Sequence, residues 1–134
     1  MNAQPATFAT ALNCMDGRAQ LPVSEAVRSL FGVSHVDTIT GPGIVRFLAE
    51  EPDSSETRAA LSNVRISVDK HGSRAIAVAA HQDCAGNPCS DGAQQEQLRR
   101  AVAFLKDRFA VCKVVGLWIG TDWAAKVLVP DASG

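Results

Sequence analysis

The sequence predicts an α/β fold: a parallel sheet with helices on both faces. Three observations carry this. Strand-like and helix-like stretches alternate along the 134 residues. One stretch, Ala75 to Ala80, offers no polar side chain to either face, as in a strand covered on both sides. The two motifs richest in reactive side chains directly follow apolar runs, and in parallel sheets sites form outside the carboxyl ends of the strands.

The elements follow in order. Phe8 to Leu12 is a short apolar strand that stops at Asn13. Pro22 is expected to open a helix, because its fixed φ suits the first helical position. Ala26, Val27, Leu30 and Phe31 would form the buried face of that helix, and Gly32 would end it. Val36 to Thr40 alternates, is β-branched and reads as a second strand, running into a Gly41-Pro42-Gly43 loop. A long helix is expected from Asp53, with Asp53 and Glu56 as its capping box. Its stripe is Ala60, Leu61, Val64 and Val68, and Lys70, His71 and Gly72 mark its end. After the Ala75–Ala80 strand, Asp91 is the expected cap of a helix with Leu98, Ala101, Val102, Leu105 and Phe109 on one face. Val111 to Ile119 reads as the last long strand, and Lys126 to Val129 as a short extra edge strand. The order is βαβ, an optional short helix, then αβαβ.

Length and composition fit one domain spanning residues 1–134, long enough to bury a core. The formal net charge is −1, with no extended run of Lys or Arg, which argues against a nucleic-acid partner. No stretch reaches the roughly 18 to 20 continuous apolar residues of a membrane span, so no membrane partner is expected. Met1 to Thr7 has no basic cluster followed by an apolar block, and a cytoplasmic location is the expectation. In a reducing compartment the four cysteines read as metal ligands, catalysts or core rather than as a disulfide framework.

The chemistry gathers in two motifs. Cys14-Met15-Asp16-Gly17-Arg18 follows the first strand, and His81-Gln82-Asp83-Cys84 follows the all-apolar one. If these strands are neighbours, Cys14, His81 and Cys84 converge. Two thiolates and a neutral imidazole make a zinc set that leaves one tetrahedral position open, as catalytic zinc requires. Asp16 and Arg18 alternate with Cys14, so in an extended segment they would share its side. A paired Arg18 would hold the Asp16 carboxylate ionised, as an acceptor for the proton of a zinc-bound hydroxide. A phosphatase-type loop is rejected, because three residues between Cys14 and Arg18 are too few to turn several backbone N–H groups onto a phosphate. Cys89 and Cys112 read as core or loop. Asp83 reads as a loop brace, His35 and His71 as solvated with a proton-shuttle role open, and Gly41 and Gly43 as turn residues whose backbone could approach the site.

Together, C-x-D-x-R at Cys14–Arg18 and H-x-x-C at His81–Cys84 resemble the β-class carbonic anhydrases, over about residues 7 to 129. Gly41-Pro42-Gly43 is similar to that family's glycine-bearing loop, and Val114 to Asp122 to its last long strand. The resemblance implies a four-stranded parallel core and one catalytic zinc per chain, held by Cys14, His81 and Cys84. It also implies Asp16 and Arg18 as catalytic residues, a dimer or higher assembly, and reversible hydration of a small-molecule substrate, carbon dioxide, to bicarbonate. Hydrolysis of carbonyl sulfide or carbon disulfide at the same zinc, or a non-catalytic zinc module, are the alternatives.

Overall fold

The computed structural model describes residues 5–132. Of the stretch read for a leader, Met1 to Gln4 lie outside the described residues. The elements are β1 (Phe8–Asn13), α1 (Gly17–Phe31), β2 (His35–Thr40), α2 (Ile44–Glu50), α3 (Ser55–Lys70), β3 (Ala75–His81), α4 (Asp91–Arg108), β4 (Lys113–Ile119) and β5 (Ala125–Val129). They build one five-stranded sheet in the order β2-β1-β3-β4-β5. The first four strands run parallel, as expected, and β5 returns antiparallel at the edge.

Side-chain size sorts the two faces. Leu12, Ile76, Val78 and Val114 point to the face covered by α2, α3 and α4, with Leu61, Val64, Leu98 and Leu105 packed among them. The opposite face presents Ala9, Ala11, Ala77 and Ala79 to α1, where Val23 and Val27 fill the narrow gap. Every residue of β3 is buried, as the all-apolar run Ala75–Ala80 leads one to expect, and the burial extends to His81.

Several boundaries differ from those the sequence suggests, each for a local reason. The first helix starts at Gly17, and Pro22 lies inside it. The Asp16 side chain accepts the Arg18 N–H and so supplies the cap that the proline alone does not reveal. The buried face of α1 is accordingly Ala19, Val23 and Val27, and Leu30 is largely exposed. In α3 the cap is Ser54, not Asp53. The Ser54 Oγ accepts the Thr57 N–H at 3.1 Å and donates to the Glu51 carbonyl, doing two jobs at once. In α4 the cap is Ser90 and Asp91 is the first helical residue. The strand expected from Val111 begins at Lys113, because Cys112 N–H closes a turn onto the Phe109 carbonyl and leaves Val111 in solvent. The optional short helix is α2.

The topology fixes where a site can form. From β1 the chain crosses to β2 on one side, and later enters β3 on the other. The switch point between β1 and β3, at the carboxyl edge of the sheet, is therefore where a site is expected.

Candidate metal centre

Cys14 follows β1 directly, His81 is the last residue of β3, and Cys84 lies three residues on. Their ligand atoms all lie within 4.8 Å of one another, and all three residues are buried. The two sulfurs are 3.8 Å apart. His81 Nδ1 lies 2.7 Å from the Gln82 carbonyl oxygen, an acceptor to which only an N–H can donate. That contact puts the proton on Nδ1 and leaves Nε2 as a bare lone pair. His81 Nε2 is fully buried with no hydrogen-bond partner. A buried acceptor without a partner is costly, and here it sits beside two thiols. The donor set fits a soft to borderline tetrahedral ion such as zinc, with one position left over.

Backbone N–H groups surround the sulfurs. Burial pushes the Cys14 thiol up, but hydrogen bonds, first among them the Gly43 N–H at 3.5 Å, with the Asp16 N–H also contributing, outweigh it, so its pKa is lowered. For Cys84, burial and then the Cys14 charge raise the pKa to about 11, and N–H groups of Gly86 and Asn87 only partly offset them.

The Gly43 contact exists because two loops touch backbone to backbone. A Cβ on Gly43 would lie 2.7 Å from the Gly86 carbonyl oxygen, and one on Gly86 would lie 2.8 Å from the Pro42 carbonyl carbon. Gly43 also has a φ of +58°. The expectation that the glycine loop's backbone approaches the site holds at this residue.

Asp16 and Arg18 meet, but not by alternation along an extended segment. Arg18 is in the first turn of α1, and the helix cap makes the pair. Asp16 Oδ1 accepts from the Arg18 backbone N–H at 2.9 Å and from Nε at 3.1 Å, and Oδ2 accepts from Nη2 at 2.7 Å. These bonds, side chain first, lower the Asp16 pKa to about 2. Asp83, at a φ of 54°, closes on the same guanidinium from the other side, with its Oδ2 3.3 Å from Nη1. This is the bracing role its position suggests.

Three residues near the site escaped the sequence reading. Gln20 Nε2 donates to the carbonyls of Cys14 and Asp16 at 2.8 and 2.7 Å and locks the loop between them. Gln94 Oε1 accepts the His81 N–H at 3.1 Å. Its signal was present, since Gln94 falls on the apolar stripe of α4, where a polar residue needs a partner. Trp123 lies over Arg18, in the turn between β4 and β5. Cys112 is buried in the core and Cys89 is exposed, so neither joins the cluster. His71 is not simply solvated. It pairs with Asp37 at 2.6 Å and stacks on Phe8. Phe8 opens β1, and at about 3.3 Å per residue the strand's far end is roughly 20 Å away, too far for a direct shuttle. A hollow of about 570 Å³, lined by Val102, Lys106, Val114, Val129 and Pro130 among others, shares no residue with the cluster.

The α/β sheet carries, at the switch between its first and third strands, a Cys-His-Cys group that could hold a metal ion. Residues 4–129 match the family described as "Putative carbonic anhydrase". The chain belongs to that family. A search of curated proteins found no match. Among solved structures, a carbonic anhydrase from Glaciozyma antarctica aligns with a TM-score of 0.59 at 17% identity, over 93% of this chain and 84% of that one. A carbonic anhydrase from Streptococcus mutans aligns at 0.56 and 17% identity, over 96% and 87%. One of the tetrameric β-carbonic anhydrases from Sordaria macrospora aligns at 0.51 and 11%, over 92% and 82%. At these identities the likeness is one of fold. No helix among the described residues is long and apolar enough to cross a membrane.

Proposed function

We propose that the protein is a zinc-dependent carbonic anhydrase that interconverts carbon dioxide and bicarbonate, with Cys14, His81 and Cys84 as the zinc ligands and one zinc per chain. The observation that carries this is the buried, partnerless His81 Nε2 facing two thiols. Family membership supports the reaction. When bound, zinc supplies the Lewis acidity that makes hydroxide available near neutral pH.

The chain's own residues supply the rest. His81 is held in one tautomer by the Gln82 carbonyl, and its backbone by Gln94. Asp16 stays ionised throughout the working pH range. Its carboxylate has about four acceptor sites. Arg18 occupies two on Oδ1 and one on Oδ2, which leaves one on Oδ2. That site would accept the hydrogen of a hydroxide held at the cluster and so orient it. Arg18 keeps the carboxylate from rotating. The thiolate ligands suit a reducing, cytoplasmic setting.

The test is zinc content and carbon dioxide hydration by stopped flow. We expect one zinc per chain and a hydration rate far above that of the zinc-free protein. A zinc-replete protein without hydration would overturn the reaction, and hydrolysis of carbonyl sulfide by the same sample would reassign the substrate.

Self-association belongs to the same proposal. The sheet has an edge at β2 and another at β5, and Leu21, Val111 and Val127 expose apolar surface. Sedimentation at micromolar concentration should show a dimer or larger. A monomer there would count against it.

A further inference from the structure

We infer that Trp123 is a positioning residue that clamps Arg18 from the turn between β4 and β5, and so fixes the Asp16 carboxylate. The inference rests on the proposed reading of Asp16 and Arg18.

Three observations support it. The Arg18 guanidinium lies 4.3 Å from the centroid of the Trp123 ring, within cation–π range. Trp123 has a φ of 55°, a left-handed conformation that a bulky aromatic rarely adopts. Such a residue persists where its surroundings over-determine it, and outliers of this kind gather at working sites. The turn is built to hold it: Trp123 N–H donates to the Gly120 carbonyl at 3.1 Å. Next to it, Asp122 Oδ1 accepts the Ala124 N–H at 3.1 Å, and Asp122 Oδ2 pairs with Lys126 at 3.0 Å.

The ring also reaches the metal cluster, with its centroid 5.8 Å from that of His81. Arg18 is therefore bounded by Asp16 along one edge, by Asp83 along another and by an aromatic face. Half of the Arg18 side chain is exposed. Between Asp16 and the exposed Asp83, a half-exposed arginine could exchange partners. The ring face of Trp123 bounds the guanidinium on a further side and limits that exchange.

Two variants separate this from plain packing. Trp123→Leu keeps an apolar side chain against the core but removes the π face. Trp123→Phe keeps a π face. The first readout needs no activity: the Arg18 Nε–Hε NMR signal. In the native protein we expect it shifted by the ring current and slow to exchange with water. The Leu variant should return it toward a free arginine, and the Phe variant should preserve most of the protection. The second readout is hydration by the zinc-loaded protein. The Leu variant should lose about tenfold in kcat, with KM within about twofold and zinc still at one per chain, and the Phe variant should keep about half. A native-like Arg18 signal and kcat in the Leu variant would overturn the clamp. If the NMR result holds but the native protein hydrates no carbon dioxide, the clamp stands and the proposed reaction fails.

Discussion

Cys84→Ala is expected to leave the protein nearly free of zinc. Losing an outer partner of a metal ligand costs about 10- to 100-fold in affinity, and losing a ligand should cost more. The site would keep Cys14 and His81, a pair that cannot close a tetrahedron around the ion. Stability should fall with occupancy, because a ligand present at a thousand times its Kd contributes about 4 kcal/mol to the folded state. Acid should act in the same direction. Thiols bind only when deprotonated, and burial, with Cys14 beside it, raises the Cys84 pKa above the ordinary thiol value. Zinc must therefore displace the Cys84 proton at neutral pH, and affinity should drop as pH falls. The measurements are zinc by atomic absorption and thermal unfolding with and without added metal. Cys89→Ala, at an exposed position outside the cluster, is the control and should keep its zinc. Full occupancy in Cys84→Ala would remove that residue from the ligand set.

Asp16→Asn should keep zinc and lose turnover, by about 100- to 1,000-fold or roughly 3 to 4 kcal/mol of barrier, as for other positioned electrostatic groups. The fold should tolerate it. Asparagine is as good a cap as aspartate, so its Oδ1 can still accept the Arg18 N–H that starts α1. What fails is the other oxygen. Oδ2 accepts from Arg18 Nη2 at 2.7 Å, and an NH₂ there would set donor against donor. The acceptor site left for the reacting hydroxyl goes with it. Native turnover at full zinc content would reduce the pair to a cap and an ion pair.

The sequence made the cluster legible for a topological reason. Ala75–Ala80 could only be a strand covered on both faces, and a central strand places whatever follows it at the carboxyl edge of the sheet. Cys14 joins His81 and Cys84 on the condition that its strand is the neighbour of theirs, and β1 does lie beside β3. The buried stripes of α3 and α4 were legible too, since 3.6-residue periodicity is strong over sixteen and eighteen residues. What misled were neighbouring polar residues that compete for one role. Asp53 and Ser54, or Ser90 and Asp91, are both fit to cap, and only the packed helix decides between them. Pro22 is the more conspicuous start signal in the sequence, yet it is the Asp16 side chain that caps α1. Trp123 carried no local signal at all. Its partner Arg18 is 105 positions earlier in the chain, and pairs at that separation are set by β4 lying two strands from β1.

The contact between Gly43 and Gly86 ties the metal loops together like a hinge pin. One loop carries an N–H donor to Cys14, the other carries N–H donors to Cys84, and their backbones lie too close for either to move toward the other. On the proposed reading, an ion arriving at this edge of the sheet would find the sulfurs already 3.8 Å apart and little chain left to order, so the cost of assembling the site would fall on folding rather than on capture. The same pin makes the two positions hostage to each other: neither glycine can gain a side chain unless the opposite loop retreats, and a retreat moves a sulfur.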